Sequence, residues 1–270
     1  MFVAPMLLQK VEEPFNDDSY ITELKLDGIR LIWTKFNDKV RLYTRHNNEV
    51  TSKFPEIHNL DMPNGTILDG ELIVPDTANK PNFEMIMERF SSKINTHFIQ
   101  YCIFDIIQYG GQKLSSNPLW YRKEVLSNVL EPSENIVLAQ YIDGYGIEYF
   151  DLVKQQELEG IVLKRKDSTY QINKRSKDWL KVINYQYADV LISAIRKDKF
   201  GAVLSFKDGN YAGIMEFMPT IEKRKLYGMM KKIEETDKLI KIEPVRCQVK
   251  YRNLTKSGLL RIPSLASFIA

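Results

Sequence analysis

With 270 residues, 44% of them hydrophobic and 27% charged, the chain has a globular composition and enough length for one large core or two ordinary ones. No apolar run reaches the roughly 20 residues of a membrane-spanning helix, and the opening MFVAPMLLQKVEEPF lacks a basic n-region, so neither a membrane anchor nor a signal peptide is expected. The net charge of +3 is unevenly spread: residues 1–184 carry 22 Lys and Arg against 26 Asp and Glu, whereas residues 185–270 carry 16 against 9, the balance of a polyanion-binding surface.

In chain order, the first segment to stand out is ITELKLDGIRLIW, residues 21–33. Glu23, Lys25 and Asp27 alternate with Leu24 and Leu26. This period of two predicts a strand over 21–26 with its charges on one face and its leucines inward, turning at Asp27-Gly28 into a strand over 29–35. Further strands are predicted over 40–44, 66–74, 99–107 and 160–165. Helical spacing appears at 82–91, where Phe83, Ile86 and Met87 share a face, and at 119–130 and 147–156. Antiparallel hairpins interleaved with helices make an α+β fold rather than a doubly wound sheet. No Gly-x-Gly-x-x-Gly or Walker-type loop occurs.

After Trp179 the pattern changes. Strands are predicted over 189–195, 200–207 and 211–217, then a helix near 221–235 with Leu226, Met229, Met230 and Ile233 as its apolar stripe, then strands over 243–251 and about 258–262. Three strands, a helix and two strands is the order of an OB-fold barrel. A hinge near Asn184–Tyr187 divides the chain into domains 1–184 and 185–270. Cys102 and Cys247 lie far apart in strand-like segments and are expected to be buried free thiols of a reducing, cytoplasmic compartment. His46, His58 and His97 are scattered, with no zinc-site spacing.

Taken alone, Lys25 reads either as one charge of a paired solvent face or as a nucleophile. Asp-Gly recurs at 69–70, 143–144 and 208–209, so that dipeptide decides nothing. The order of the downstream segments is more specific: LYTRHNNE (42–49), ILDGELI (67–73), YCIFDII (101–107), EGIVLKR (159–165) and RSKDWLKV (175–182). Each places charge where a plain sheet would be better served by apolar residues. With Lys-x-Asp-Gly at 25–28, these six motifs in order resemble the covalent nucleotidyltransferases, and among them the ATP-dependent DNA ligases. Small bacterial and prophage ligases and the ligase domain of bacterial end-joining enzymes are the most similar. The opening APMLLQKVEEPF resembles theirs too, and the likeness runs along nearly the whole chain.

The resemblance implies an ATP-grasp-like, antiparallel-sheet adenylation fold followed by the OB domain. It also implies a DNA ligase that seals nicked double-stranded DNA through lysyl-AMP, acting as a monomer with or without DNA-repair partners. Lys25 would attack the α-phosphate of ATP as a neutral amine, its pKa lowered by Arg30, Lys181 and a metal. Gly28 would let the backbone turn close to the nucleotide. Glu23 would read the adenine amino group, Phe104 would stack on the purine, and Glu71 would accept from a ribose hydroxyl. Arg30, Arg45 and Lys181 would hold phosphates, and Glu159 would bind Mg²⁺ or Mn²⁺. Lys164, an ordinary strand lysine on this reading, stays outside the set.

Two departures from the family pattern stand out. Ile183 occupies the place of a second lysine two residues after Lys181, and TKSGLLRIPSLASFIA lacks the Arg-x-Asp-Lys that ends many OB domains. Self-adenylation is therefore expected to be slow unless Lys256 or Arg261 substitutes. With no DNA-encircling domain expected, grip on DNA would rest on the OB domain and loops. An RNA ligase or capping guanylyltransferase is the nearest rival reading, against which Arg30 in Lys-x-Asp-Gly-x-Arg argues. A DNA-end-binding protein with decayed catalysis is the rival from another class.

Overall fold

The strand that opens the Lys-x-Asp-Gly segment ends sooner than alternation predicts, and its end creates the site. In the computed structural model, which describes residues 1–92, 94 and 97–269, β1 (Leu7–Lys10) is followed by β2 (Tyr20–Leu24). The chain then leaves this sheet, and β3 (Ile29–Phe36) begins in another. Residues 25–28 are therefore a crossing between sheets and not the turn of a hairpin. The predicted burial is also inverted: Glu23 is buried, and Leu24 and Leu26 are only partly so. A crossing segment has no solvent face, so its alternation does not report an inside and an outside.

From β3 the chain runs through β4 (Lys39–Thr44) and β5 (Thr66–Ile73) to helix α1 (Phe83–Ser91). Next come β6 (Gln100–Tyr109), the short β7 (Gln112–Lys113) and helix α2 (Leu119–Val129). Then follow β8 (Ile136–Leu138), β9 (Tyr141–Asp143), helix α3 (Gly146–Gln155), β10 (Gly160–Arg165) and β11 (Arg175–Ile183). One sheet has the order β1-β11-β10-β2-β9, and the other β4-β3-β5-β6-β7 with β8 on β6. Most pairings are antiparallel, but β1–β11 and β6–β8 are parallel, a departure from the purely antiparallel expectation.

The two sheets face each other across a core that includes Ile21 and Trp179 from one and Ile32, Ile67, Phe104 and Ile107 from the other. The outer face of the first sheet packs Ile161, Leu163 and Val182 under Phe150 and Val153 of α3. The outer face of the second packs Leu31, Trp33, Leu68 and Ile103 against Ile86 of α1 and Leu126 of α2. Being covered on both faces, β3 reads as the unbroken run LIW.

Residues 1–184 form one compact unit and 185–270 a second. In the second, β12 (Gln186–Arg196) pairs with β13 (Ala202–Ser205), which pairs with β14 (Tyr211–Met215). Helix α4 (Thr220–Met229) leads to β15 (Lys232–Glu235), β16 (Leu239–Tyr251) and β17 (Ser264–Phe268). The other edge of β12 pairs with β16, β16 pairs with β17, and a parallel bridge from Phe217 to Ser264 closes the ring around Ile192, Leu204, Met215 and Val249.

Two expectations fail here. The helix stops at Met229, with Gly228 weakening its last turn, and Ile233 stands 65% exposed on β15, which pairs with β16 and holds Glu234 to Lys241. Only Leu226 of the supposed stripe is buried. The segment 258–262 forms no strand: it follows a turn closed by the Gly258 N–H donating to Thr255 O, with Gly258 at φ +75°, it makes an isolated antiparallel bridge from Leu260 to Leu254, and the last strand starts at Ser264. Both cysteines are buried free thiols, and burial pushes each up to about 12. Among the described residues no helix is long and apolar enough to cross a membrane.

Candidate active site

The crossing segment is pinned at both ends. The Lys25 N–H donates to Gly160 O at 2.9 Å, which ties it to the start of β10. Gly28 lies against β5 so closely that a Cβ would sit 2.3 Å from Leu72 O and 2.9 Å from Ile73 Cγ2. The steric demand for glycine at 28 thus comes from the neighbouring strand, whereas the sequence suggests a demand set by the nucleotide. Between these anchors Lys25 Nζ reaches Glu159 Oε2 at 2.7 Å, with both side chains largely buried.

On the inner side of Lys25, Glu23 is 3% exposed, accepts a hydrogen bond from Lys123 and forms an ion pair with Lys164. Lys123 of α2 stands at 2.5 Å and Lys164 of β10 at 2.6 Å. Burial alone would raise the Glu23 carboxyl, but the two lysines more than offset it and hold it below the usual range. Lys164 is itself 2% exposed, and burial, with Lys123 adding, brings it down to about 8 against the pull of Glu23. Its ammonium lies 4.2 Å from the Phe104 ring centre and 4.3 Å from that of Trp179. The Arg30 guanidinium lies 4.5 Å from the same Phe104 centre.

Arg30 is fixed by a fully buried carboxylate: its Nε and Nη2 donate to the two oxygens of Asp69 at 2.5 Å each. Directly opposite Arg30 in the β3–β5 ladder stands Glu71. Burial pushes the Glu71 carboxyl up to about 7; Lys25 and Arg30 oppose this, and Glu159 and Asp69 reinforce it.

The eight residues singled out in the sequence line two cavities that share Lys25, Arg30 and Glu71. Glu23 and Phe104 belong to the inner one, with Val162, Lys164 and Trp179. Arg45, Glu159 and Lys181 belong to the outer one, with His46 and Arg175. The inner cavity combines an aromatic face with a carboxylate, which suits a flat base with donor groups. The outer one gathers Arg30, Arg45, Arg175 and Lys181 around Lys25, which suits phosphates. Arg45 is exposed, its Nε donating to the His46 ring at 3.1 Å.

Sequence reasoning missed Lys123, Asp69 and Arg175, and set Lys164 aside. A signal was present for Lys123: Leu119, Arg122, Lys123 and Leu126 follow the i, i+3, i+4, i+7 pattern and are all buried, so two basic residues occupy core positions. Arg122 meets both oxygens of buried Asp105, at 2.7 and 2.8 Å, and Lys123 meets Glu23. Among the described residues no cluster of three or more His, Cys, Asp or Glu could hold a metal by itself.

A family model described as an ATP-dependent DNA ligase domain matches residues 5–182. The chain is 52% identical over 268 residues, covering 99% of each chain, to the SPbeta prophage-derived DNA ligase-like protein LigB of Bacillus subtilis. It is 29% identical to a DNA ligase of Thermococcus fumicolans, aligning 87% of this chain with 48% of that one. Among solved structures it resembles the ligase domain of M. tuberculosis LigD, with a TM-score of 0.60 at 21% identity over 99% of this chain and 95% of that one. It resembles a Lig E DNA ligase with a TM-score of 0.66 at 18% identity, over 98% and 99%. At such identities the likeness is one of fold, mixed α+β and rich in sheet.

Proposed function

The chain belongs to the ATP-dependent DNA ligase family, and from that premise we propose that it seals nicks in duplex DNA through a covalent Lys25–AMP intermediate. The observation that carries this reading is the position of Lys25, shared by a base-sized aromatic slot and a cationic mouth. In the first step Lys25 Nζ attacks the α-phosphorus of ATP, an N–P bond forms and pyrophosphate departs. In the second, a 5′-phosphate oxygen of the nick attacks that phosphorus and frees the lysine. In the third, the 3′-hydroxyl attacks the activated 5′-phosphate and AMP leaves.

This chain's own residues then divide the work. Phe104 stacks on the purine, and Glu23 accepts from its amino group in competition with Lys123 and Lys164. Glu71 accepts from a ribose hydroxyl. Arg30, Arg45 and Lys181 draw the phosphates to the mouth, with Arg175, which lines it, as a further cation. Lys25 must be neutral to attack, and Glu159 Oε2, at 2.7 Å, is the atom placed to accept its proton.

A divalent metal fits this donor set. Mg²⁺ takes one or two protein carboxylates and fills its shell with water and phosphate oxygens, and Glu159, lining the cationic mouth, offers one. Bound there, it would neutralise charge growing on the phosphate oxygens. For residues 185–270 the reading is an OB-fold that binds the DNA backbone. It is supported by the closed strand order β14-β13-β12-β16-β17 and the excess of 16 basic over 9 acidic residues. The enzyme works as a monomer on this reading.

The test mixes the protein and Mg²⁺ with α-labelled ATP, α-labelled GTP or adenylate-labelled NAD, denatures one portion, and gives the other a nicked duplex. Label from ATP alone should survive denaturation, and the nick should close. A nick left open, or label retained from GTP instead, would overturn the reading.

A further inference from the structure

Tyr170 belongs to none of the motifs above, yet its hydroxyl sits inside the Arg30 assembly. It lies in the loop between β10 and β11, is 3% exposed, and donates to Asp69 Oδ2 at 2.5 Å. The Tyr170 hydroxyl oxygen also accepts from the Met6 N–H at 3.1 Å. Met6 O in turn accepts from Arg30 Nη2 at 3.4 Å, and Arg30 closes the ring on Asp69. Four groups from β3, β5, the lead into β1 and the β10–β11 loop thus form one circuit across the two facing sheets. A phenol has one proton: here it goes to Asp69, while a lone pair takes the Met6 N–H. Arg30 commits Nε and Nη2 to the circuit. Its Nη1 makes no hydrogen bond among the described residues, which leaves that nitrogen for a phosphate oxygen.

We propose that Tyr170 is a positioning residue for nucleotidyl transfer: its hydroxyl locks the Asp69 carboxylate and so fixes the direction in which Arg30 meets the nucleotide phosphates. Without the hydroxyl, Asp69 keeps its charge but loses the bond that sets its rotation, and the guanidinium turns with it. The loop that carries Tyr170 is held independently, by Tyr170 N–H to Ser115 O at 2.8 Å and Asn173 N–H to Ala4 O at 3.0 Å, and the ring packs edge-on to Trp179 at 5.6 Å. Removing one oxygen therefore disturbs the circuit without removing the ring. The proposal rests on the reading of Arg30 as a phosphate ligand, and the test separates the two.

AMP transfer from saturating ATP is measured for the unaltered protein, Tyr170→Phe, Arg30→Ala and the double variant. Tyr170→Phe should slow transfer about tenfold, part of the roughly hundredfold that a misplacement of about 1 Å can cost. On top of Arg30→Ala the same change should cost less than about twofold, because its route of action is gone. Equal slowing in both backgrounds, or no slowing in either, overturns the proposal. An Arg30→Ala chain as fast as the unaltered one instead overturns the phosphate reading of Arg30.

If Tyr170→Phe does not fold, a fluorinated tyrosine placed at 170 keeps the ring and acidifies its hydroxyl. Burial and then Asp69 hold the ordinary phenol well above its usual range, with Arg30 opposing and Arg122 over the ring at 5.8 Å. Acidified, it is a stronger donor to Asp69, so transfer should change severalfold while Arg30 is present and by less than about twofold on top of Arg30→Ala. An equal change in both backgrounds, or none in either, overturns the proposal.

Discussion

Among the described residues of 1–184, seven charged side chains are buried: Glu23, Asp69, Arg89, Asp105, Arg122, Lys123 and Lys164. Residues 185–270 are the more basic part of the chain, yet among the described residues none of their charged groups is buried. Their pairs lie at the surface: Arg196 with Asp198 at 2.6 Å, Lys197 with Glu235 at 2.8 Å, Lys199 with Glu216 at 2.9 Å. A buried charge costs several kcal/mol of desolvation unless its partner is in place, so burying one fixes a geometry. Surface pairs are screened and contribute between nothing and about 1 kcal/mol, so they remain available to exchange partners. The first arrangement suits chemistry at a defined distance, and the second suits attraction to a mobile polyanion.

The contrast breaks most visibly at Lys25, the proposed nucleophile. Lys25→Ala, and equally Lys25→Arg, should reduce AMP transfer from ATP below detection, because a guanidinium stays protonated and cannot attack phosphorus. The alanine variant should still close a nick that already carries 5′-adenylate, as that step needs no lysine nucleophile. Normal labelling of the alanine variant in a gel assay would remove Lys25 from the mechanism.

A smaller effect compares two Asp–Arg pairs of similar length, one from each unit. Asp69→Asn removes one partner of a buried pair and should cost about 3 kcal/mol in urea denaturation, along with most of the transfer rate. Asp198→Asn should leave both unchanged. Comparable losses in the two would mean that burial does not separate the units.

Next comes the response to salt. Charge reversal at several of Arg196, Lys197, Lys199, Lys250 and Arg252 should reduce the log–log salt slope of DNA binding by about 1 for each phosphate that is no longer neutralised. An unchanged slope would mean that these residues are only a solvated face.

The smallest effect concerns acid. The Glu23 carboxyl is held below the ordinary glutamate value of about 4.3, so its contribution to stability is complete above that value and is lost as pH falls through its folded value. Lys123→Met with Lys164→Met should remove that contribution, and their stability curve should slope less between about pH 5 and 3. A slope as steep as in the unaltered chain would mean that other carboxylates dominate acid unfolding.

How much of the molecule was legible depends on what each signal measures. The α+β class and most strands of residues 1–184 follow from periodicity, because those strands lie in sheets with well-defined faces. The eight candidate residues came from the resemblance of six ordered motifs to the ligase family; the residues by themselves showed only charge placed in apolar runs, a pattern a plain sheet does not need, and the fold gathers them around two joined cavities. Periodicity fails where the chain changes sheets, as at Lys25, and where a pairing partner is distant in sequence, as at Ile233, whose strand is set by β16. Lys164 looked like an exposed strand lysine because sequence does not show that Phe104, Trp179 and Glu23 converge on it. Asp69 shares the charged segment ILDGELI with Glu71 and nothing local sets its role apart, and Tyr170 carries no local oddity; their significance lies in hydrogen bonds to Arg30 and Met6, 39 and 164 residues away.

The central claim is that Lys25 carries AMP. Intact-protein mass spectrometry after incubation with ATP and Mg²⁺, followed by peptide mapping, reads this directly. A mass gain of one AMP per chain, located on the peptide that contains Lys25 and reversed by added pyrophosphate, is the predicted result. An adduct on any other lysine, or DNA sealing by a protein that never acquires one, would contradict it.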